Sequence, residues 1–493
     1  MKMNKNALLL MLGMAVGQAG CALAPKYTRP TAPVPAEWPK GTAHQDTQVG
    51  TYAPQAPDLR WQEFFSDERL RQLIETALTN NRDLRLAAMN VERARAMYGI
   101  QRDVFFPTIN ATASGSKQRS TADLTVPGQP RTTERYDVSL GIASWEIDFF
   151  GRIRSLKARA LEEYLATEQA RRGTQIMLVS SVASAYLALA ADLENLTLAE
   201  TTLASRQEAY HLIQRSYELK LASELDLYRA QTQVEAARGE AARYRQVVAE
   251  DENALNLLLG SPAPAELLPA QLSGVTPPKE ISPGLPSEVL LRRPDVLGAE
   301  GLLRAAHADI GAARATFFPR ISLTAAVGTA SGELSGLFKS GSSTWSFAPQ
   351  IVMPIFDTRT WFAIKVTKVQ REMALAQYEK AIQSAFKEVA DALAVRGTVD
   401  QQVSAQQSLV NAVAETCRLS NARYDKGIDS YLSVLDAQRS LYAAQQGLVT
   451  LRLAKFANCV RLYAVLGGGS DSPERTEPVW CKNSSEPNPR HSK

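Results

Sequence analysis

The stretch YDVSLGIASWEIDFFGR, residues 136–152, changes period part-way along its length. Tyr136, Val138, Leu140 and Ile142 alternate with Asp137, Ser139, Gly141 and Ala143, and the run ends at Trp145. An apolar face opposed by a small or polar one over about ten residues is the patterning of a transmembrane β-strand. A soluble sheet covered on one side shows the same alternation. From Arg152 the pattern turns helical: no proline falls between Pro130 and Pro262, and Ala, Leu, Glu, Gln, Arg and Ser dominate. Proline inside a helix costs about 3 kcal/mol, so this window predicts unbroken helix. At about 1.5 Å per residue, Arg152 to about Leu219 is on the order of 100 Å long. A helix of that length must lie along others, as in a coiled coil or a helical barrel. The uncharged run Ile176 to Ala191, with Ser180, Ser181 and Ser184 among small alanines, reads as close helix packing. It is too short to span a bilayer, which takes roughly 20 residues.

The same grammar recurs. Ile321, Leu323, Ala325 and Val327 alternate, as do Trp345, Phe347, Pro349, Ile351 and Met353, and more weakly Ile109, Ala111 and Ala113. A second proline-free window runs from Pro354 to Pro473. Aromatic residues gather at the helix-facing strand ends: Phe105-Phe106, Trp145, Phe149-Phe150, Phe317-Phe318, Phe356 and Trp361-Phe362. Of these, Trp145, Phe150, Phe356 and Trp361 are the candidate girdle that a bilayer interface selects.

The two halves are copies. Asp83 and Phe105-Phe106-Pro107 match Asp295 and Phe317-Phe318-Pro319 at one spacing. Ser223, Leu225, Ala230 and Gln231 match Ser430, Leu432, Ala437 and Gln438 at a slightly shorter one, the shortfall lying in the strand region. The first repeat covers residues 58–260, with strands at about 108–118 and 135–147 and helices at 152–219 and 225–259. A linker, 261–286, leads to the second repeat, 287–469, with strands at about 319–330 and 344–355 and helices at 358–425 and 431–466. Four strands cannot close a barrel, since bacterial barrels start at about 8 strands, and an open sheet in lipid leaves backbone groups unsatisfied. The chain must therefore pool strands with copies of itself.

Several motifs in order resemble one family. Trp145-Glu146-Ile147-Asp148-Phe149-Phe150-Gly151-Arg152, Pro354-Ile355-Phe356-Asp357, Tyr424 with Gly427 through Leu435-Asp436-Ala437-Gln438, and Leu462-Tyr463 with Leu466-Gly467-Gly468-Gly469 are similar to motifs of TolC-like outer-membrane factors of tripartite efflux systems. The similarity is greatest to the OprM-type lipoprotein branch and covers about residues 58 to 469. It implies a mixed fold, an all-α tunnel plus a transmembrane β-barrel, in a homotrimer with 12 strands, four per chain. It also implies a periplasmic adaptor (membrane fusion) protein and an inner-membrane resistance–nodulation–division transporter as partners. The implied activity is export of drugs or other small toxic compounds; the tunnel of a type I protein secretion system is the alternative. By the same resemblance, Asp429, Asp436 and Tyr424 lie at a periplasmic gate, with Gly427 in the helix turn. Ser433 departs from the TolC pattern, which has a further aspartate there. Rings of carboxylates at a constriction gather cations. Without the resemblance, Asp429 reads as a helix cap, a role Ser430 could fill, and Asp436 as a surface partner of Arg439. Ser223 and Asp226 form a capping box in the first copy. Lys220 there stands opposite Gly427, which points to the second-copy helix pair as the moving one.

The ends read as export signals. Lys2 and Lys5 precede an apolar Ala7–Val16 run, with small residues up to Cys21, so residues 1–20 are a signal peptide. Cys21 resembles a lipobox cysteine, carrying S-diacylglycerol and N-palmitoyl groups, although Gln18 replaces the usual aliphatic residue. Cleavage after Ala19 is the other reading. Ala22 is compatible with sorting to the outer membrane. Residues 21–57 are a Pro-rich, lipid-anchored tether and 470–493 a disordered tail.

No enzyme is legible. The four histidines, His44, His211, His307 and His491, have no metal-ligand spacing, and Gly467-Gly468-Gly469 ends a helix where a phosphate cradle would open one. A net charge of +4 is too mild to argue for nucleic acid, and no cofactor beyond the covalent lipid is expected. Cys417, Cys459 and Cys481 leave the choice between free thiols and one disulfide open.

Overall fold

The computed structural model describes residues 23–41, 43, 56, 59–282 and 290–469. The signal segment 1–20, Cys21, Cys481 and the tail 470–493 lie outside them. The chain divides into two compact units, the first made of Met1–Thr31, Asn90–Glu168 and Gly298–Glu379, the second of Ala32–Met89, Gln169–Leu297 and Lys380–Lys493. Helices α1 (Glu68–Asn80) and α2 (Arg82–Asp103) lead into strands β1 (Ile109–Arg119) and β2 (Thr132–Ile147). Helices α3 (Arg152–Glu218) and α4 (Glu224–Leu259) follow, then α5 (Pro294–Ala315), β3 (Arg320–Ser331), β4 (Ser343–Val352), α6 (Thr358–Asp425) and α7 (Tyr431–Val465).

The first unit holds one sheet of order β1-β2-β3-β4, antiparallel throughout. Each strand pair hands over to a long helix through an aspartate. The Asp148 carboxylate accepts the Ile153 and Arg154 amides at 3.1 and 2.9 Å, and Asp357 accepts the Arg359 amide at 3.0 Å. A carboxylate there satisfies amides that the first helical turn leaves without partners and complements the helix dipole. From these starts α3 runs 67 residues and α6 runs 68.

The second unit is helical. Its core contains the uncharged run of α3: Val179, Val182, Ala183, Leu187, Leu189 and Ala190 are buried. Over half (56%) of the most apolar window of α3 is buried in this way. Tyr463 stacks on Phe64 at 3.9 Å between ring centroids and donates its hydroxyl to the Leu59 carbonyl at 2.6 Å. Helix α4 starts on Ser223, whose hydroxyl accepts the Asp226 amide at 3.1 Å, and ends on Gly260 at φ 69°. A Cβ at Gly260 would lie 2.7 Å from the Asn80 carbonyl oxygen, so both conformation and space require glycine. Among the described residues Cys417 and Cys459 are free thiols, not joined to each other.

One carboxyl in this unit is held protonated more readily than usual. Burial, aided by the charge of Asp192 on α3, pushes Asp251 on α4 up to about 6, and its Oδ2 has no donor. A raised carboxyl binds its proton more tightly folded than unfolded, so this contribution grows as pH falls through about 6 toward the ordinary value near 3.9. Melting at about pH 5 is therefore expected at a higher temperature than at about pH 7.5, and Asp251→Asn should shrink that difference. An undiminished difference in calorimetry would contradict the assignment.

Candidate functional site

The sheet separates its side chains into two faces. Cross-strand rows on one face are Ala111–Leu140–Val327–Trp345, Ile109–Ile142–Ala325–Phe347, Trp145–Leu323–Pro349 and Ile147–Ile321–Ile351. On the other face are Thr112–Ser139–Gly328–Thr344, Asn110–Gly141–Ala326–Ser346 and Glu146–Ser322–Gln350, with a 2.9 Å hydroxyl contact between Thr112 and Ser139. One face is apolar and the other small or polar over these rows; nearer the β1–β2 hairpin the apolar face gives way to Val138–Thr329–Ser343 and then to the Lys117–Glu134 ion pair. Trp345, Val327 and Ile351 stand 80%, 63% and 68% exposed, so the unit by itself leaves much of its apolar face uncovered.

Holding that separation takes a defect in β2. Ile142 and Trp145 lie three residues apart yet share the apolar face, which strict alternation forbids. The register shifts between them, and Ser144 takes φ 58°, its amide donating to the Thr324 hydroxyl at 3.3 Å. This β-bulge absorbs the extra residue and returns Trp145 and Ile147 to the apolar side.

At the helix end of the sheet the four candidate girdle residues separate. Trp145 donates Nε1–H to the Phe105 carbonyl at 3.2 Å; Trp361 sits edge-on to Phe317 at 5.1 Å; Phe356 is 89% exposed. Phe150 instead stacks on Phe318 at 4.8 Å, and both rings line a cavity of about 520 Å³ with Glu146, Arg152, Arg320 and Gln350. There the Glu146 carboxylate takes Arg152 at 2.7 Å and Arg320 at 3.4 Å. Phe150 thus belongs with the polar-face residues, apart from the other three.

The helix turns carry the remaining candidates. At the α6–α7 turn, Gly427 has φ 69°, its amide bonds the Tyr424 carbonyl at 2.8 Å, and the Ile428 amide bonds the Arg423 carbonyl at 3.0 Å. The α3–α4 turn repeats this backbone: Lys220 has φ 62°, its amide bonds the Tyr217 carbonyl at 2.8 Å and the Leu221 amide bonds the Ser216 carbonyl at 2.7 Å. The sequence contrast between Lys220 and Gly427 is therefore not a contrast of fold. It is a contrast of strain, because only Lys220 pays for a left-handed conformation. Left-handed lysine costs about 1–2 kcal/mol, partly offset by the unfolded-state freedom of glycine, so Lys220→Gly should stabilise by about 0.5–1 kcal/mol. Urea titration reads this, and a loss of stability would contradict it.

Asp429 joins the two sides of its turn. Its carboxylate accepts Arg423 Nε at 3.2 Å, the Ser430 amide at 3.0 Å and the Ser433 hydroxyl at 3.1 Å. The Ser430 amide, then Arg423 and Ser433, hold this carboxyl below the usual range. Ser430 itself makes no side-chain cap. Tyr424 packs at 5.3 Å on Tyr431 and joins a cluster of Ile213, Ala230, Val434 and Leu435 drawn from α3, α4 and α7. Burial raises the Tyr424 hydroxyl above its ordinary value. Asp436 lies outside this group: its carboxylate is exposed and stands 3.8 Å from Arg439.

The family model for outer membrane efflux proteins matches residues 73–261 and again 285–468. The chain belongs to that family. The outer membrane efflux protein is 48% identical to the toluene efflux pump outer membrane protein TtgC of Pseudomonas putida over 451 residues, which cover 91% of this chain and 93% of TtgC. It is equally similar, with the same coverage, to the antibiotic efflux pump outer membrane protein ArpC of Pseudomonas putida. Among solved structures, the open state of the MtrE outer membrane channel of Neisseria gonorrhoeae superposes with a TM-score of 0.82 at 37% identity, covering 91% of this chain and 98% of MtrE. The efflux protein thus has the TolC-like fold, four strands per chain with long helices, and is an outer-membrane channel protein with a periplasmic helical part. Its family works by conduction and carries out no catalysis.

Sequence reasoning missed three participants. The slip from even to odd apolar positions between Ile142 and Trp145 was a legible sign of the bulge. Arg423 is one of several arginines on α6, and nothing in its spacing marks it as the partner of Asp429. Tyr431 reads as an ordinary core residue until Tyr424 is seen against it.

Proposed function

We propose that this efflux protein works as a homotrimer exporting organic solvents and antibiotics, fed by a periplasmic adaptor protein and an inner-membrane resistance–nodulation–division transporter. The observation that carries this reading is the four-stranded sheet with an apolar face and outer edges on β1 and β4 left without a partner. Each unpaired backbone group in hydrocarbon costs several kcal/mol. Three chains joined β4 to β1 give 12 strands, remove every edge and leave the small polar face lining an open lumen. The apolar face then meets lipid. The cargo class rests on relatives named for toluene and antibiotic efflux.

In this reading a lipid on Cys21, S-diacylglycerol with N-palmitoyl, secures the chain to the membrane. Asp429 and Tyr424 hold the periplasmic end shut around the Gly427 turn, and three copies of Asp429 and Asp436 make it cation-attracting. Trp145, Phe356 and Trp361 serve at the membrane interface. The mass of the detergent-solubilised native assembly tests the trimer: three chains are expected, and a monomer or dimer that still confers drug export would overturn it. A strain lacking the gene should become sensitive to toluene and to antibiotics, and unchanged tolerance would remove the cargo assignment.

A further inference from the structure

Residues 23–41 form neither helix nor strand, so no backbone ladder holds them. Side chains do. Glu300 on α5 is only 2% exposed, and its carboxylate accepts Tyr27 Oη at 3.1 Å, Arg29 Nε at 3.0 Å and Arg304 Nη2 at 2.7 Å, with Arg29 Nη2 on its second oxygen. The Arg304 guanidinium lies 5.0 Å over the Tyr27 ring, and His307 sits edge-on to that ring at 5.4 Å. Further along α5, Ala24 presses on Gly311, where a Cβ would come within 2.7 Å of the Ala24 methyl. Arg314 then donates to the Leu23 carbonyl at 3.1 Å. Three successive points on one helix therefore grip a single short segment, Leu23 to Arg29, in the first unit.

A buried carboxylate is costly unless its lone pairs are filled, and Tyr27 and Arg29, which fill them beside Arg304, come from the segment itself. Glu300 and the segment need each other. The grip also runs toward the sheet: from Glu300 to Arg314 it follows α5 to within a turn of its end at Ala315, and β3 begins at Arg320. From Cys21 to Leu23 is roughly 7 Å of chain at most.

We propose that Glu300 is the lock of a strap, fixing residues 23–29 along α5 so that a lipid on Cys21 is held where α5 gives way to β3. The lipid part of this rests on the anchored reading above. With the lock closed, a pull on the lipid is borne by the body at Glu300. With it open, the next side-chain hold is Trp38 stacked on Phe386 at 5.1 Å, leaving roughly 60 Å of loose chain at about 3.5 Å per residue. Glu300 is thus a positioning residue for the anchor, acting through Arg29 and Tyr27.

Trypsin cleavage after the exposed Lys26, followed by mass spectrometry on the full-length protein in membranes, tests this. Arg29→Ala and Tyr27→Phe alter only the strap, so they spare the helix core; Glu300→Gln alters the lock. Each is expected to speed cleavage about tenfold or more, because proteolysis follows the population of the open form. Paired exchange, Arg29→Glu with Glu300→Arg, should restore protection, while the heat stability of the assembly stays unchanged for the strap variants. Wild-type cleavage rates in Arg29→Ala and Glu300→Gln, or a charge exchange that fails to protect, would overturn the lock. Labelling with radioactive palmitate separates the other premise: no label on wild type removes the lipid, whatever the strap does.

Discussion

Removing one residue from β2 is expected to have opposite outcomes at two positions: deletion of Ser139 abolishes the membrane-embedded protein, and deletion of Ser144 does not. The bulge is the reason. Between the rows of Ile142 with Ala325 and Trp145 with Leu323, β3 spends one residue, Thr324, and β2 spends two, Ala143 and Ser144. Without Ser144 the strands pair residue for residue and both rows stay on the apolar face. Without Ser139 no register satisfies both ends. If the residues before the gap slip away from the hairpin to fill it, Asp137 and Arg135, now paired at 2.9 Å on the polar face, move to the apolar face. Asp137 would then replace Val138 in the row of Ala113 and Thr329, exchanging an apolar side chain for a carboxylate. If the bulge flattens instead, Leu140 and Ile142 turn to the polar side and their rows are lost. Outer-membrane fractions and drug tolerance of a complemented null strain measure both deletions. Equal tolerance of the two would refute the division of faces.

The second large effect is expected at the α6–α7 turn. Asp429→Ala removes the one carboxylate that takes Arg423 from the end of α6 and Ser430 and Ser433 from the start of α7. The gate reading predicts a several-fold rise in single-channel conductance and new sensitivity to large antibiotics such as vancomycin. The pH dependence has a definite sign. A carboxyl lowered in the folded state contributes above its unfolded value near 3.9 and loses that contribution only as pH falls through its lower folded value. Conductance of the wild type should therefore be flat between about pH 8 and about pH 5, with opening confined to pH below about 4. An Asp429→Ala channel with wild-type conductance and drug exclusion would sink the gate.

The fold was legible because its main determinants are local and periodic. Proline-free windows hold the 67-residue α3 and the 68-residue α6, and period-two alternation picks out β2, β3 and β4. β1 is weaker, with alanines where the other strands carry bulkier residues, and it lies exposed along its whole length. The candidate site was legible in part. Asp429 and Tyr424 stood out through the family resemblance, but their contacts did not, since Arg423 and Tyr431 carry no pattern of their own. Asp436, read from the same motif, stays apart on the surface with Arg439. The strap was invisible in sequence for a different reason: Arg29 and Glu300 are separated by 271 positions, and a single buried glutamate on a helix looks like any other until its partners arrive. Proline-rich composition alone described that segment as a tether.

Conduction through the assembled chain is what every role proposed for these residues requires. Single-channel recording of the purified protein in a planar lipid bilayer tests it most directly. Discrete conductance steps, small in the wild type and several-fold larger in Asp429→Ala, are predicted. Protein that inserts into the bilayer as an assembled oligomer and passes no current in either form would contradict it.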